Sequence, residues 1–192
     1  MDPKYNQRIN LRHKANYAKK FRCNTLICVL ENPRFLNNVA SVIRNIDTLG
    51  IGKLYVIDGY NILPQIWETM RTNKTLNCIS SSAVKWAYIK KFETTSHCIS
   101  YLRKNNFTSI ITSPHLKGIK NTFLSNGRFT HKKLAVWFGN ESKGVSQEVI
   151  DNCIECIQIE MSGIVESLNL AVSTGIVLYT IAQQRRKYNK MD

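Results

Sequence analysis

Short apolar runs rich in β-branched residues alternate with segments of helical periodicity along most of this chain. Strands are predicted at Thr25–Leu30, Lys53–Ile57, Thr108–Thr112, Leu134–Phe138 and Cys156–Ile159. Helices are predicted at Asn37–Leu49, Pro64–Arg71, Thr95–Lys104, Ser146–Asp151 and Leu168–Arg186, with Pro64 in the first turn of its helix. Ser82–Phe92 fits neither pattern. This alternation predicts an α/β fold in which a mostly parallel sheet is flanked by helices.

The charge balance favours a polyanionic partner. The 192 residues include 27 Lys and Arg against 13 Asp and Glu, a formal net charge of +14. Such an excess attracts nucleic acids and speeds their encounter with the protein. A merely basic soluble protein is the alternative. With 43% hydrophobic residues, the composition is that of a folded domain rather than a disordered chain.

Both ends of the chain are basic. Residues 1–22 carry seven Lys and Arg, one acid, two tyrosines and little apolar periodicity. They form either a solvated arm or an arm that grips phosphates and stacks bases on its tyrosines. The tail Gln183–Lys190 suits RNA contacts and the C-terminal end of a helix equally. The simplest division is a basic arm at 1–22 and one domain at 23–192.

Six cysteines occur, and the N-terminus lacks the apolar core of a signal peptide. No apolar run approaches the roughly 20 residues that cross a bilayer. We therefore expect a cytoplasmic protein with reduced thiols and no membrane contact. Cys153 and Cys156 form an isolated CxxC pair, whereas a structural zinc site usually needs four ligands. We expect no metal and buried structural thiols there.

Three segments carry candidate chemistry. On the first predicted long helix, Asn37, Ser41 and Arg44 share the side opposite the apolar stripe. Such an Arg can present a cation to a phosphate or a developing anion, although a solvated Arg is the alternative. In the second segment, Val136–Gly144, a strand ends in a glycine-containing polar turn that is either functional or a plain turn. In the third, a strand leads through a polar loop into a long apolar helix with Ser167 as its predicted N-cap.

Together, the three segments resemble the motifs of the TrmH family of SPOUT-class RNA methyltransferases. The first motif is an Asn six residues before an Arg on the helix after the first strand, here Asn38 and Arg44. The second is a G-N-E-x-x-G turn after a strand, here Gly139, Asn140, Glu141 and Gly144. The third is S-L-N at the last helix, preceded by an apolar residue and Met-x-Gly, here Ile159, Met161, Gly163, Ser167, Leu168 and Asn169.

The resemblance implies a fold, a cofactor and a set of site residues. Family members thread the C-terminal segment into a deep trefoil knot, form homodimers and bind S-adenosylmethionine (SAM) in the knot loops, largely through backbone groups. The implied SAM contacts are Thr112, Gly139, Ile159, Met161 and Leu168. The implied catalytic residues are Arg44, Asn38, Glu141, Ser167 and Asn169. A guanidinium is a poor base near neutrality, so we interpret Arg44 as a group that stabilises the developing alkoxide.

The implied reaction is methyl transfer from SAM to a ribose 2′-hydroxyl, which makes RNA the substrate rather than DNA. Many rRNA-directed relatives carry an additional N-terminal domain, whereas only a short basic arm precedes the first strand here. We therefore expect guanosine in a folded tRNA as the target. An rRNA 2′-O-methyltransferase is one alternative. An RNA-binding module without catalysis is another, and loss of Arg44 or of Ser167-Leu168-Asn169 would indicate it; all are present.

Overall fold

A seven-stranded parallel sheet organises residues 13–188, the part of the chain that the computed structural model describes. The strands are β1 Cys23–Glu31, β2 Ile51–Ile57, β3 Tyr88–Phe92, β4 Thr108–Thr112, β5 Asn121–Phe123, β6 Leu134–Phe138 and β7 Cys156–Gln158. Their order across the sheet is β3-β2-β1-β6-β4-β7-β5, and each of these pairings is parallel. The predicted α/β class with a parallel sheet is confirmed.

Helices cover both faces of the sheet. Residues 13–19 are helical and are called α1. The others are α2 Leu36–Thr48, α3 Trp67–Thr72, α4 Lys74–Ile79, α5 Thr95–Lys104, α6 Gln147–Ile150 and α7 Leu170–Tyr188, with a 3-10 turn at Ala83–Lys85. One core packs α2, α4 and α7 on the sheet, and a second packs α5 and α6 on its other face. No helix within residues 13–188 is long and apolar enough to span a membrane.

Two predicted helix starts are wrong. Pro64 precedes α3, because the Asp58 carboxylate accepts the backbone N–H groups of Ile62 at 2.9 Å and Leu63 at 3.0 Å and holds this segment as a turn. Likewise, α7 begins two residues later than predicted.

The N-cap of α7 is therefore not Ser167. Asn169 Oδ1 accepts the N–H of Ala171 at 2.8 Å and so caps the helix. Three short elements, α1, α4 and β5, had no predicted counterpart. β5 is a three-residue edge strand without an apolar run, and the ambiguous Ser82–Phe92 contains the 3-10 turn and β3.

The winding of the sheet reverses beside β1 and β6. From β1 the chain builds β2 and β3 on one side, and it then crosses to build the remaining strands on the other. In open α/β sheets, ligands bind beyond the carboxyl ends of the strands at such a reversal. The loops that follow β1, β6, β4 and β7 meet at this carboxyl edge.

Candidate active site

A cavity of about 700 Å³ opens at the carboxyl edge of the sheet; we call it the edge cavity. Four of the five predicted catalytic residues line it: Asn38, Glu141, Ser167 and Asn169. All five predicted SAM contacts line it too: Thr112, Gly139, Ile159, Met161 and Leu168. Segments more than 100 residues apart in sequence therefore share one wall, because four parallel strands end at the same edge.

Asn38, Glu141 and Asn169 form a hydrogen-bonded chain across the edge cavity. Asn38 Nδ2 donates to Glu141 Oε1 at 2.7 Å, and Asn169 Nδ2 donates to Asn38 Oδ1 at 3.0 Å. Each of the three motifs contributes one member of this chain. Because Asn169 also caps α7 through its Oδ1, the chain couples the start of the long helix to α2 and to the turn after β6.

The turn after β6 is held by its own backbone and by Asn140. Asn140 and Gly144 exchange backbone hydrogen bonds of 2.9 and 2.8 Å, and Asn140 Nδ2 donates to the Asn32 carbonyl at 2.6 Å. Gly139 is packed so closely that a Cβ there would lie 2.1 Å from the carbonyl carbon of Gly144. Any side chain at position 139 would displace this turn, which explains why the motif needs glycine there.

A buried carboxylate that the sequence analysis did not identify anchors the far end of this turn. Glu31, the last residue of β1, is 3% exposed. Its carboxylate accepts the Ser146 N–H at 2.8 Å, the Ser146 hydroxyl at 2.7 Å and the Thr95 hydroxyl at 2.8 Å. These bonds satisfy a carboxylate that burial would otherwise penalise. They tie β1, α5 and the segment after β6 together behind the edge cavity.

Arg44 lies apart from the other predicted site residues. It follows Asn38 by six residues on α2, a separation of about 9 Å along the helix axis. It is exposed, does not line the edge cavity and has no hydrogen-bond or ion-pair partner within residues 13–188. Its neighbour Asn45 donates to the Ala171 carbonyl at 2.8 Å, so Arg44 lies beside the contact between α2 and α7.

Several lining residues were not predicted. Ser113, His115 and Lys117 follow β4 and line the edge cavity. Their position directly after a predicted strand was the available signal. Phe35, which precedes α2, also lines the cavity, and nothing in its local sequence distinguished it from other exposed apolar residues.

The CxxC pair is buried, as expected. Burial raises the pKa of the Cys153 thiol to about 12 and that of the Cys156 thiol to about 11. Both groups are therefore protonated near neutrality and are poor metal ligands or nucleophiles. Within the described residues 13–188, no group of three or more His, Cys, Asp or Glu side chains could hold a metal ion.

Comparison with known proteins places this geometry in a family. The model of the SpoU rRNA Methylase family matches residues 25–179. A tRNA (guanosine(18)-2′-O)-methyltransferase of Borreliella burgdorferi is 28% identical over 178 residues, covering 91% of this chain and 74% of that protein. The Thermus thermophilus protein of the same name is 28% identical over 167 residues, covering 87% of this chain and 79% of that protein.

Solved structures agree with this fold. The crystal structure of an A. aeolicus TrmH/SpoU tRNA modifying enzyme matches with a TM-score of 0.76 and 24% identity, covering 93% of this chain and 86% of that one. The SpoU methyltransferase AviRb from Streptomyces viridochromogenes, solved with the cofactor AdoMet, matches with a TM-score of 0.70 and 20% identity, covering 86% and 62% of the two chains. The family match spans most of the sheet and all three motif segments. The chain belongs to the SpoU rRNA Methylase family.

Proposed function

We propose that this protein transfers the methyl group of SAM to a ribose 2′-hydroxyl in tRNA. The observation that carries the proposal is the convergence of three sequence-distant motif segments on the edge cavity. Family membership supports it, and the relatives described above are named tRNA (guanosine(18)-2′-O)-methyltransferases. We therefore take guanosine 18 as the first target to test. The formal charge of +14 suits an RNA substrate.

The edge cavity fits SAM in size and in kind of surface. Its volume of about 700 Å³ lies within the range of small-molecule sites. Gly139 exposes backbone where a side chain could not fit. Ile159, Met161 and Leu168 add apolar surface from the segment after β7, and Thr112 adds the end of β4. When bound, SAM supplies a sulfonium methyl group for in-line transfer.

The chain of Asn38, Glu141 and Asn169 would orient the nucleotide. The three side chains already bond to one another, so their positions are set before the substrate arrives. Glu141 is held further by the Arg34 N–H, which donates to Oε2 at 2.9 Å. Ser167 is exposed on the same wall and completes the set. Alignment of the ribose oxygen with the methyl group would supply much of the acceleration.

Arg44 is proposed to stabilise the developing alkoxide in a homodimer. Because it lies outside the edge cavity of its own chain, it would act on a ribose held at the cavity of a second copy. A supporting surface exists on α7, where Val172, Ile176 and Tyr179 are 50%, 38% and 54% exposed at helical spacing. Val172→Glu with Ile176→Glu should give a monomer by light scattering and abolish methyl transfer.

The knot, the division into arm and domain, and the cytoplasmic location are proposed from the family resemblance and the composition. The C-terminal segment would form the deep trefoil knot of the family, which the TM-score of 0.76 to a TrmH/SpoU structure supports. The division into an arm at 1–22 and a domain at 23–192 stays a prediction. Residues 1–12 of that arm lie outside the described residues, and in α1 the exposed Lys14, Tyr17 and Lys19 suit contacts with RNA. Cytoplasmic location also stays a prediction.

Transfer of labelled methyl from SAM to total tRNA, followed by nucleoside identification, tests the function. The expected product is 2′-O-methylguanosine, mapped to position 18 by mass spectrometry. Methylation of rRNA but not tRNA would contradict the tRNA proposal and support the rRNA alternative. Failure to bind SAM at millimolar concentration in calorimetry would contradict the enzyme and favour an RNA-binding module.

A further inference from the structure

An exposed aromatic ring stands at the mouth of the edge cavity. Phe35 is 55% exposed, lines the cavity and lies three residues before Asn38. Its backbone is extended, with φ −118° and ψ 121°, and it is the N-cap residue of α2. Single exposed apolar residues are common on protein surfaces, so exposure alone says little. The contacts of Arg34 distinguish Phe35 from other exposed apolar residues.

Arg34, the residue before Phe35, bonds to the turn after β6. Its Nη1 donates to Ser142 Oγ at 2.8 Å, and its backbone N–H donates to Glu141 Oε2 at 2.9 Å. The guanidinium carbon lies 5.8 Å from the centroid of the Phe35 ring, within range of a cation–π contact. Arg34 and Phe35 together, called the rim pair, therefore present an ordered cation and an accessible aromatic surface beside the hydrogen-bonded chain.

The rim pair lies at the β1 end of the edge cavity. Phe35 follows β1, whereas Thr112 is the last residue of β4 and Ile159 follows β7. In the strand order, β4 is two strands from β1 and β7 is three. At about 4.8 Å per strand, the predicted SAM contacts after β4 and β7 begin roughly 10 to 14 Å away from the end of β1. A ring on the β1 side therefore lies beside Asn38 and two to three strands from Thr112 and Ile159, and Gly139, after the adjacent strand β6, is the predicted SAM contact on its side.

We propose that the rim pair is a nucleobase-binding subsite. A base of the target nucleotide or its immediate neighbour stacks on Phe35, and Arg34 neutralises the adjoining phosphate. Aromatic rings bind unstacked bases without reading their sequence, and arginine adds charge complementarity to the backbone. The subsite would hold a nucleotide splayed out of a folded RNA while its ribose enters the cavity. This inference rests on the proposed function, because it takes RNA as the substrate.

The experiment compares Phe35→Ala with Phe123→Ala, a matched control. Phe123 is 51% exposed on the edge strand β5 and does not line the edge cavity. Phe35→Ala should weaken tRNA binding in fluorescence anisotropy and raise KM for tRNA by roughly 5- to 100-fold, with kcat reduced less. The dissociation constant of SAM should not change. Phe35→Trp should restore tRNA binding, and Phe123→Ala should behave like wild type.

Several outcomes would overturn the subsite. Unchanged tRNA binding in Phe35→Ala would remove the ring from RNA recognition. Parallel loss of SAM affinity would assign it to the cofactor, and a changed oligomeric state by light scattering would assign it to an interface between copies. If wild type binds tRNA but transfers no methyl group, the proposed function fails, whereas the anisotropy comparison still decides whether Phe35 binds RNA.

Discussion

Two arginines, one on α2 and one on α7, lie in opposite surroundings. Arg44 is exposed on α2, outside the edge cavity, and has no polar partner within residues 13–188. Arg185, near the end of α7, is 7% exposed. Its guanidinium donates to Thr25 Oγ1 at 2.7 Å, to the Lys132 carbonyl at 3.1 Å and to the His131 carbonyl.

The different surroundings of the two arginines indicate different roles. Arg185 joins α7 to the amino-terminal part of β1 and to the segment before β6. Its guanidinium is therefore hydrogen-bonded within the protein. Of the basic tail, Arg185 is therefore unavailable for RNA. Arg44 is exposed, and its guanidinium is accessible to a partner molecule. At the carboxyl edge, polar side chains bond to one another around a cavity. At the amino edge, the buried Arg185 side chain bonds to backbone carbonyl groups and to Thr25.

Arg44→Ala tests the catalytic role proposed for this residue and should have the largest effect. We expect methyl transfer to fall by roughly 100- to 1,000-fold, because the charge proposed to stabilise the transition state is lost. SAM affinity and thermal stability should stay near wild type. Arg103→Ala, an exposed Arg on α5, is the control. Near-wild-type turnover of Arg44→Ala would remove this residue from the mechanism.

Arg185→Met tests the amino-edge role. The substitution keeps much of the side-chain volume but leaves several carbonyl groups without a donor. We expect the free energy of unfolding to fall by about 3 kcal/mol in urea titration. Arg186→Met is the neighbouring control, since Arg186 is exposed and makes one bond to the Leu49 carbonyl at 2.6 Å. Equal loss in the two variants would show that the buried bonds of Arg185 stabilise the fold no more than the exposed bond of Arg186.

Gly139→Ala tests whether the turn after β6 belongs to the cofactor surface. A Cβ would lie 2.1 Å from the Gly144 carbonyl carbon, so the turn must shift. We expect SAM affinity to fall roughly tenfold to a hundredfold in calorimetry. Gly118→Ala is the control, because nothing lies within 4 Å of a Cβ there. Unchanged SAM affinity would place the cofactor away from this turn.

Asn169 both caps α7 and bonds to Asn38 in the edge cavity, and two substitutions separate these roles. Asn169→Asp keeps the oxygen that caps α7 but loses the amide donor to Asn38. It should reduce activity about tenfold with little change in melting temperature. Asn169→Ala removes both bonds and should also cost about 1 kcal/mol of stability. Full activity of Asn169→Asp would show that the amide serves the fold alone.

The patterns with the strongest local physics were predicted well. β1 and β6 are apolar because they are buried on both faces, and α2 shows its buried stripe because a helix repeats every 3.6 residues. The helix start at Pro64 was wrong because the backbone N–H groups of Ile62 and Leu63 donate to the Asp58 carboxylate. These bonds override the preference of proline for the first turn of a helix. The N-cap of α7 was wrong because Ser167 and Asn169 are both good caps, and tertiary contacts selected the second.

By itself, the sequence determined the class of fold, the three motif segments and their order, because these depend on short-range periodicity and residue type. The tertiary structure alone decided what each polar group faces. Arg185 and Arg186 are adjacent in one basic run, yet only the first is buried. The carbonyl groups that receive Arg185 come from more than 50 residues earlier in the chain. Local sequence does not encode this contact between Arg185 and the carbonyl groups, because it forms only when the sheet brings the two segments together.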